Sequence, residues 1–224
     1  MSNKIHEMCT LFVGPSLQGI DSKLLAHENL IVRPPIRRGD IESLIEQSPP
    51  SNIAIVDGIF HAHPAVGHAE ILSALRAGWK IWGLSSMGAI RACEMDILGM
   101  KGFGDVYRQF SSDPNMSDDE VTLIHQEQEP FLSISEPMIH IRFFLRHWLN
   151  ERIITVEQEQ SLIHKIKNMW YGYRTLKFLR EALLELPVAA EKIDIALKNF
   201  STYRIKSLDL IEFLKLQPWT RTVN

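Results

Sequence analysis

The sequence is poor in cysteine, in charge of one sign and in long apolar runs. Two cysteines, Cys9 and Cys93, stand among 224 residues. They have no metal-type spacing. Each lies in an apolar stretch, so both read as reduced core thiols of a cytoplasmic protein. The net charge of −3 gives no general attraction to nucleic acid. No segment approaches the roughly 20 apolar residues of a membrane span, so no membrane partner is expected. The polar start, Met1 to Glu7, is not expected to act as a signal peptide. Repeats and low-complexity segments are absent. So are G-x-G-x-x-G and G-x-x-x-x-G-K-[ST], the two common phosphate loops. What remains is an ordinary globular composition, 45 % hydrophobic and 23 % charged. It suffices for one core with a helical annex.

The first hundred residues alternate two textures. Apolar runs at Thr10–Val13, Leu30–Val32, Asn52–Val56 and Lys80–Leu84 predict strands. The third lacks polar alternation, as a strand buried on both faces does. Between them, helices are predicted over Ser22–His27, over Ile41–Gln47 with Asp40 as N-cap, over Pro64–Ala77 before Gly78, and from Ala89 onward. This alternation predicts an α/β fold: a doubly wound, mostly parallel, Rossmann-like sheet. From about Phe103 the texture changes, and from Pro137 to Leu186 it is mostly helical. Ser117 with Glu120, and Thr155 with Gln158, read as capping-box starts. Two short helices follow, over Ala189–Phe200 and Leu208–Leu216. The expected division is an α/β core over residues 1–135 and a helical C-terminal extension over 136–224.

Ligands of parallel sheets bind beyond the carboxyl ends of the strands. Those ends hold Ser16, Arg37, Arg38, Asp57 and Ser85-Ser86-Met87-Gly88. A serine on a strand-to-helix turn meets the N–H groups of a helix N-terminus, which stabilise an oxyanion or bind an anion. Ser86 with Gly88 half matches the G-x-S-x-G nucleophile elbow, with Leu84 in place of the first glycine. Either serine also suits a plain N-cap. Asp57 fits a functional carboxylate or a turn former before Gly58. His68 fits a general base or a surface histidine. His61, His63 and His68 are too irregularly spaced for a metal motif, so no metal is expected. Arg37 and Arg38 can grip a carboxylate or phosphate, or sit solvated in a loop. Arg91 and Glu94, three apart, can pair along one helix face. Asp118, Asp119 and Glu120 with His125 form a second polar cluster, equally read as helix capping.

Several stretches together resemble one family. "FVGPSL", "RRGDI", "IVDGIFHAHPAVGHAEIL", "GLSSMGAIRACEMDILGMKGFGDVYRQF" and "SDDEVTLIH" run in order from Phe12 to His125 and are similar to the TfuA-like core domain. Weaker similarity continues to Ser135–Met138 and Arg142. The resemblance implies a partner role beside a YcaO protein, which activates a peptide amide with ATP. The implied reaction is thioamide formation on a ribosomally made peptide or protein. This chain would release or deliver sulfide from a thiocarboxylated ubiquitin-like sulfur carrier, with no cofactor of its own. A precursor peptide is a further candidate partner. Asp57, His68, Glu70, Ser86, Arg91, Glu94, Glu120 and His125 fall on motif positions. Cys93 stands where alanine is usual.

The expected catalytic set is Ser86 as nucleophile and His68 as base, with Asp57 or Glu70 orienting the imidazole. Arg37, Arg91, Ser85, Met87, Gly88, Glu94, Glu120 and His125 would bind substrate. The alternative expectation is a non-catalytic docking or activating protein for YcaO-dependent backbone modification, thioamide or azoline.

Overall fold

The computed structural model describes residues 8–59 and 64–220. Among the described residues the five strands are β1 (Cys9–Phe12), β2 (Leu30–Arg33), β3 (Asn52–Ile55), β4 (Lys80–Leu84) and β5 (Lys101–Phe103). The α-helices are α1 (Asp40–Gln47), α2 (His68–Arg76), α3 (Met87–Met95), α4 (Gly104–Ser112), α5 (Met138–Asn150), α6 (Val156–Lys167), α7 (Leu176–Leu183), α8 (Ala190–Lys198) and α9 (Ile205–Leu216). The strands form one sheet in the order β2-β1-β3-β4-β5, and every pairing is parallel. The α/β, doubly wound expectation is therefore observed.

The chain falls into two compact units, Met1–Met116 with Lys206–Asn224, and Ser117–Ile205. These differ from the expected ranges 1–135 and 136–224. In the first unit the strand period of two sorts the side chains. Phe12, Ile53, Ile55 and Ile81 pack with Ile41 and Leu44 of α1, Ile71 and Ala74 of α2, and Ala92 and Met95 of α3. The neighbouring positions Cys9, Leu11, Val13, Ala54, Val56 and Leu84 face the other way. They pack with Leu210, Phe213 and Leu214 of α9 and with Trp219. Burial pushes the Cys9 thiol far above its usual pKa, as the core-thiol expectation requires. The last helix is therefore a layer of the sheet domain. A helix that begins 102 residues after β5 ends, Phe103 to Ile205, gives no local signal of that return.

The second unit has its own core. Met138, Ile141, Phe144, Leu145 and Trp148 of α5 meet Leu162 and Ile166 of α6, Leu179 and Leu183 of α7, and Phe200. Thr155 caps α6 as expected, its hydroxyl accepting from Gln158 N.

Three expectations are corrected. Asp40 is the first residue of α1; Gly39, at φ +92°, holds the cap position, and Asp40 Oδ2 accepts from Arg37 N instead. Helix α2 starts at His68, not Pro64, because Glu70 Oε1 takes the Gly67 N–H at 2.7 Å. Ser117 makes no cap bond and is followed by a single 3-10 turn, Asp118–Glu120. Strand β5 and helix α4 were not expected, since a three-residue Lys-Gly-Phe run carries no readable period.

Candidate functional site

The site is built where β1, β3 and β4 end. The connections that leave the neighbours β1 and β3 pack on opposite faces, and such switch points open a crevice at the carboxyl edge. Asp57 follows β3 at this point and is 2 % exposed. Its Oδ2 accepts from Gly14 N and Ser16 N, both at 2.9 Å, and its Oδ1 accepts from Ser16 Oγ at 2.8 Å. The carboxylate thus ties down the whole loop after β1. Ile36 bridges to Gly58, with Ile36 N donating to Asp57 O.

The β4–α3 turn is held by close backbone approach. A Cβ on Gly88 would lie 1.7 Å from Ile55 O, and one on Gly83 2.0 Å from Gly88 O. Only glycine lets the N-terminus of α3 sit this near β3. Ser85 takes φ +63°, a strained value for a residue with a Cβ. Gly83 stands two residues before it, so the elbow geometry belongs to Ser85 and not, as the spacing suggested, to Ser86. Yet the Ser85 hydroxyl is engaged: it donates to Lys206 O at 2.8 Å, and the residue is fully buried. Ser86 occupies the N-cap position of α3 without a side-chain cap bond, at 2 % exposure. Met87 is buried against Gly58, and Gly88 N donates to Val56 O at 3.3 Å.

A second cluster lies along α2 and α3. His68 Nε2 and Glu94 Oε2 are 2.9 Å apart. Arg91 Nη1 donates to the same Glu94 oxygen at 2.6 Å, and its Nε donates to Val66 O. Arg38 Nε donates to Ala65 O, the preceding carbonyl. Glu94 is eight residues beyond Ser86, about 12 Å along the axis of α3. His68 is paired with Glu94 and not with Asp57 or Glu70. Glu70 is 3 % exposed, and its carboxylate accepts from Gly67 N and Gly39 N. Asp57 and Glu70 therefore shape the edge through backbone bonds. Arg37 is exposed on the loop after β2.

Glu120 and His125 belong to the second unit. Arg142 grips the Glu120 carboxylate through Nε and Nη2, both at 2.9 Å, and Lys167 Nζ approaches at 2.8 Å. Next to it, burial would raise the Asp119 pKa. Bonds from Lys167, Ser117 and Arg174 outweigh that and hold it at about 2. His125 bonds Gln126 O and meets the Phe131 ring edge-on. His61 and His63 lie outside the described residues. Among the described residues no three His, Cys, Asp or Glu side chains gather as metal ligands, and no helix is long and apolar enough to cross a membrane.

The sequence reading missed the start of α9. Ser207 Oγ donates to Ser16 O at 2.9 Å, and Lys206 Nζ stands 3.7 Å from Asp57 Oδ1. Asp209 accepts from Asp105 N and Val106 N at the start of α4. The available signal was Lys206, Ser207 and Asp209 gathered at the start of a helix whose other polar residues are Glu212 and Lys215.

Fold and edge together define a parallel α/β protein with a buried serine at a helix N-terminus beside a switch-point carboxylate. A family model described as TfuA-like protein matches residues 57–175, more than half of the chain, and the chain belongs to that family. No curated protein matches it.

Proposed function

We propose that this chain serves a YcaO enzyme by releasing sulfide from a thiocarboxylated ubiquitin-like carrier, for thioamide formation on a ribosomally made peptide or protein. Membership of the TfuA-like family supports the YcaO association. One observation supports a reaction centre: Ser86 is nearly fully buried at the start of α3, and its hydroxyl is not consumed by capping. Helix N-termini favour developing negative charge there.

In this reading the carrier tail reaches the strand-end edge. Arg37 and Arg91 hold its anionic end. Ser86 Oγ attacks the thiocarboxylate carbon, the C–S bond breaks, and sulfide leaves. Water then cleaves the serine ester, giving the carrier carboxylate and restoring the hydroxyl. The hydroxyl proton passes to the departing sulfur, which leaves as hydrosulfide. The His68–Glu94 pair, about 12 Å along α3 from Ser86, lies out of reach of that proton and lines the approach of the carrier tail. Asp57 and Glu70 hold the loops in place. The test mixes the protein with the thiocarboxylated carrier, without YcaO, and follows the carrier's C-terminus by intact mass. Conversion to carboxylate, lost in Ser86→Ala, supports the reading; an unchanged carrier removes it.

A second reading is docking without catalysis. It is favoured by the engagement of Asp57 and Glu70 with backbone N–H groups, which leaves neither as a free base. Undiminished stimulation of YcaO by Ser86→Ala would select it.

A further inference from the structure

Lys206 is the second residue of α9, the helix that packs on the sheet. It is 2 % exposed and lies beyond the family match, which ends at residue 175. A buried ammonium is costly to desolvate, and an apolar side chain of the same shape is often as good or better for stability. Packing alone therefore gives no reason for a lysine. Its surroundings do. Three contacts radiate from two consecutive residues. Lys206 O accepts the Ser85 hydroxyl after β4, Lys206 Nζ faces Asp57 after β3, and Ser207 Oγ donates to Ser16 O after β1. The start of α9 thus touches the carboxyl ends of three adjacent strands.

We propose that Lys206 is a positioning residue of the strand-end site, acting through Asp57 and Ser85 on the surroundings of Ser86. The ammonium balances the Asp57 carboxylate, which in turn holds Gly14 and Ser16. The carbonyl anchors Ser85 in its left-handed conformation. That anchoring divides the two serines: Ser85 fixes the turn, and Ser86 is the one presented to the anionic substrate. The inference rests on the reading of Ser86 as the reacting group.

The test compares Lys206→Met, which keeps the shape and drops the charge, with Lys206→Arg, which keeps the charge. Two quantities are read in each: the kinetics of sulfide release from the thiocarboxylated carrier, and hydrogen exchange at the Gly14 and Ser16 amides. Lys206→Met is expected to lower kcat by about tenfold or more with KM within about twofold, and to speed exchange at both amides. Lys206→Arg is expected to stay near wild type in both. Unchanged kcat and unchanged exchange in Lys206→Met overturn the proposal. Should that variant not fold, a Lys206→Arg protein that folds but loses kcat as a neutral residue would also overturns it, and one that retains kcat upholds it. A wild-type protein that releases no sulfide removes the functional reading alone. Exchange at Gly14 and Ser16 then still decides whether Lys206 positions the edge.

Discussion

The Ser85 hydroxyl donates to the backbone carbonyl of Lys206 at 2.8 Å, across 121 residues of chain. The neighbouring Ser86 makes no cap bond. Two adjacent serines thus have different standing, one anchored to α9 and one that makes no cap bond.

Stability should separate them. Ser85→Ala leaves a buried carbonyl without its donor, which costs about 1–3 kcal/mol. Ser86→Ala removes no cap bond and should change the unfolding free energy by less than about 0.5 kcal/mol. Urea unfolding of both variants checks this. Equal losses would deny the division.

Gly88→Ala should prevent the sheet unit from folding. Its Cβ would meet Ile55 O at 1.7 Å, and backbone on both sides leaves nothing flexible to yield. Gly99 gives the contrast. It has φ +104° but nothing within 4 Å of an added Cβ, so Gly99→Ala pays only conformational strain, about 1 kcal/mol. Soluble yield and thermal midpoint of the two variants measure the difference.

Glu70→Ala should destabilise the chain by about 2 kcal/mol, because it orphans the Gly67 and Gly39 amides together. Glu70→Gln should recover part of this, since its carbonyl oxygen still accepts one bond. Chemical denaturation of the two variants tests the ordering. A Gln variant no better than Ala would contradict it.

Acid should relieve a buried charge on α9. Burial, outweighing the bonds from Val106 and Asp105 amides, raises the Asp209 pKa from 3.8 to about 6. Its folded pKa lies above the unfolded one. The folded chain therefore binds the extra proton between those values, and the stabilising contribution is full below pH 3.8 and lost as pH rises through about 6. Unfolding free energies of wild type and Asp209→Asn, measured from pH 7 down to pH 4, should diverge in favour of wild type. A constant gap would contradict the shift. Glu136 works in the opposite sense. Bonds to His140 and Arg204 overcome its burial and lower its pKa, so its contribution is lost on acidification.

The sheet was legible because period-two apolar runs and Gly, Pro and Asp punctuation are local signals. β3 could be read from Asn52–Val56 alone. The edge was legible from topology, since strands that alternate with helices place Asp57 and Ser85-Ser86 on one side. The partners within it were not. Nothing local says that His68 pairs with Glu94, that Glu70 reaches Gly39, or that Lys206 returns to Asp57. Those pairings join separate elements, and tertiary packing alone sets them. The same limit misplaced the elbow: the Gly88 spacing pointed to Ser86, while the left-handed φ that marks a strained turn falls on Ser85.

In the proposed function the α3 N-terminus is a reaction centre with Ser86 at its middle. The most direct measurement is the rate of sulfide release from the thiocarboxylated carrier by Ser86→Ala, alongside wild type and Ser85→Ala, each first shown to be folded. Wild type should release sulfide, and Ser86→Ala should do so at least about a hundredfold more slowly. Ser85→Ala, if folded, should fall far less. A Ser86→Ala protein that releases sulfide within about twofold of wild type would contradict the claim.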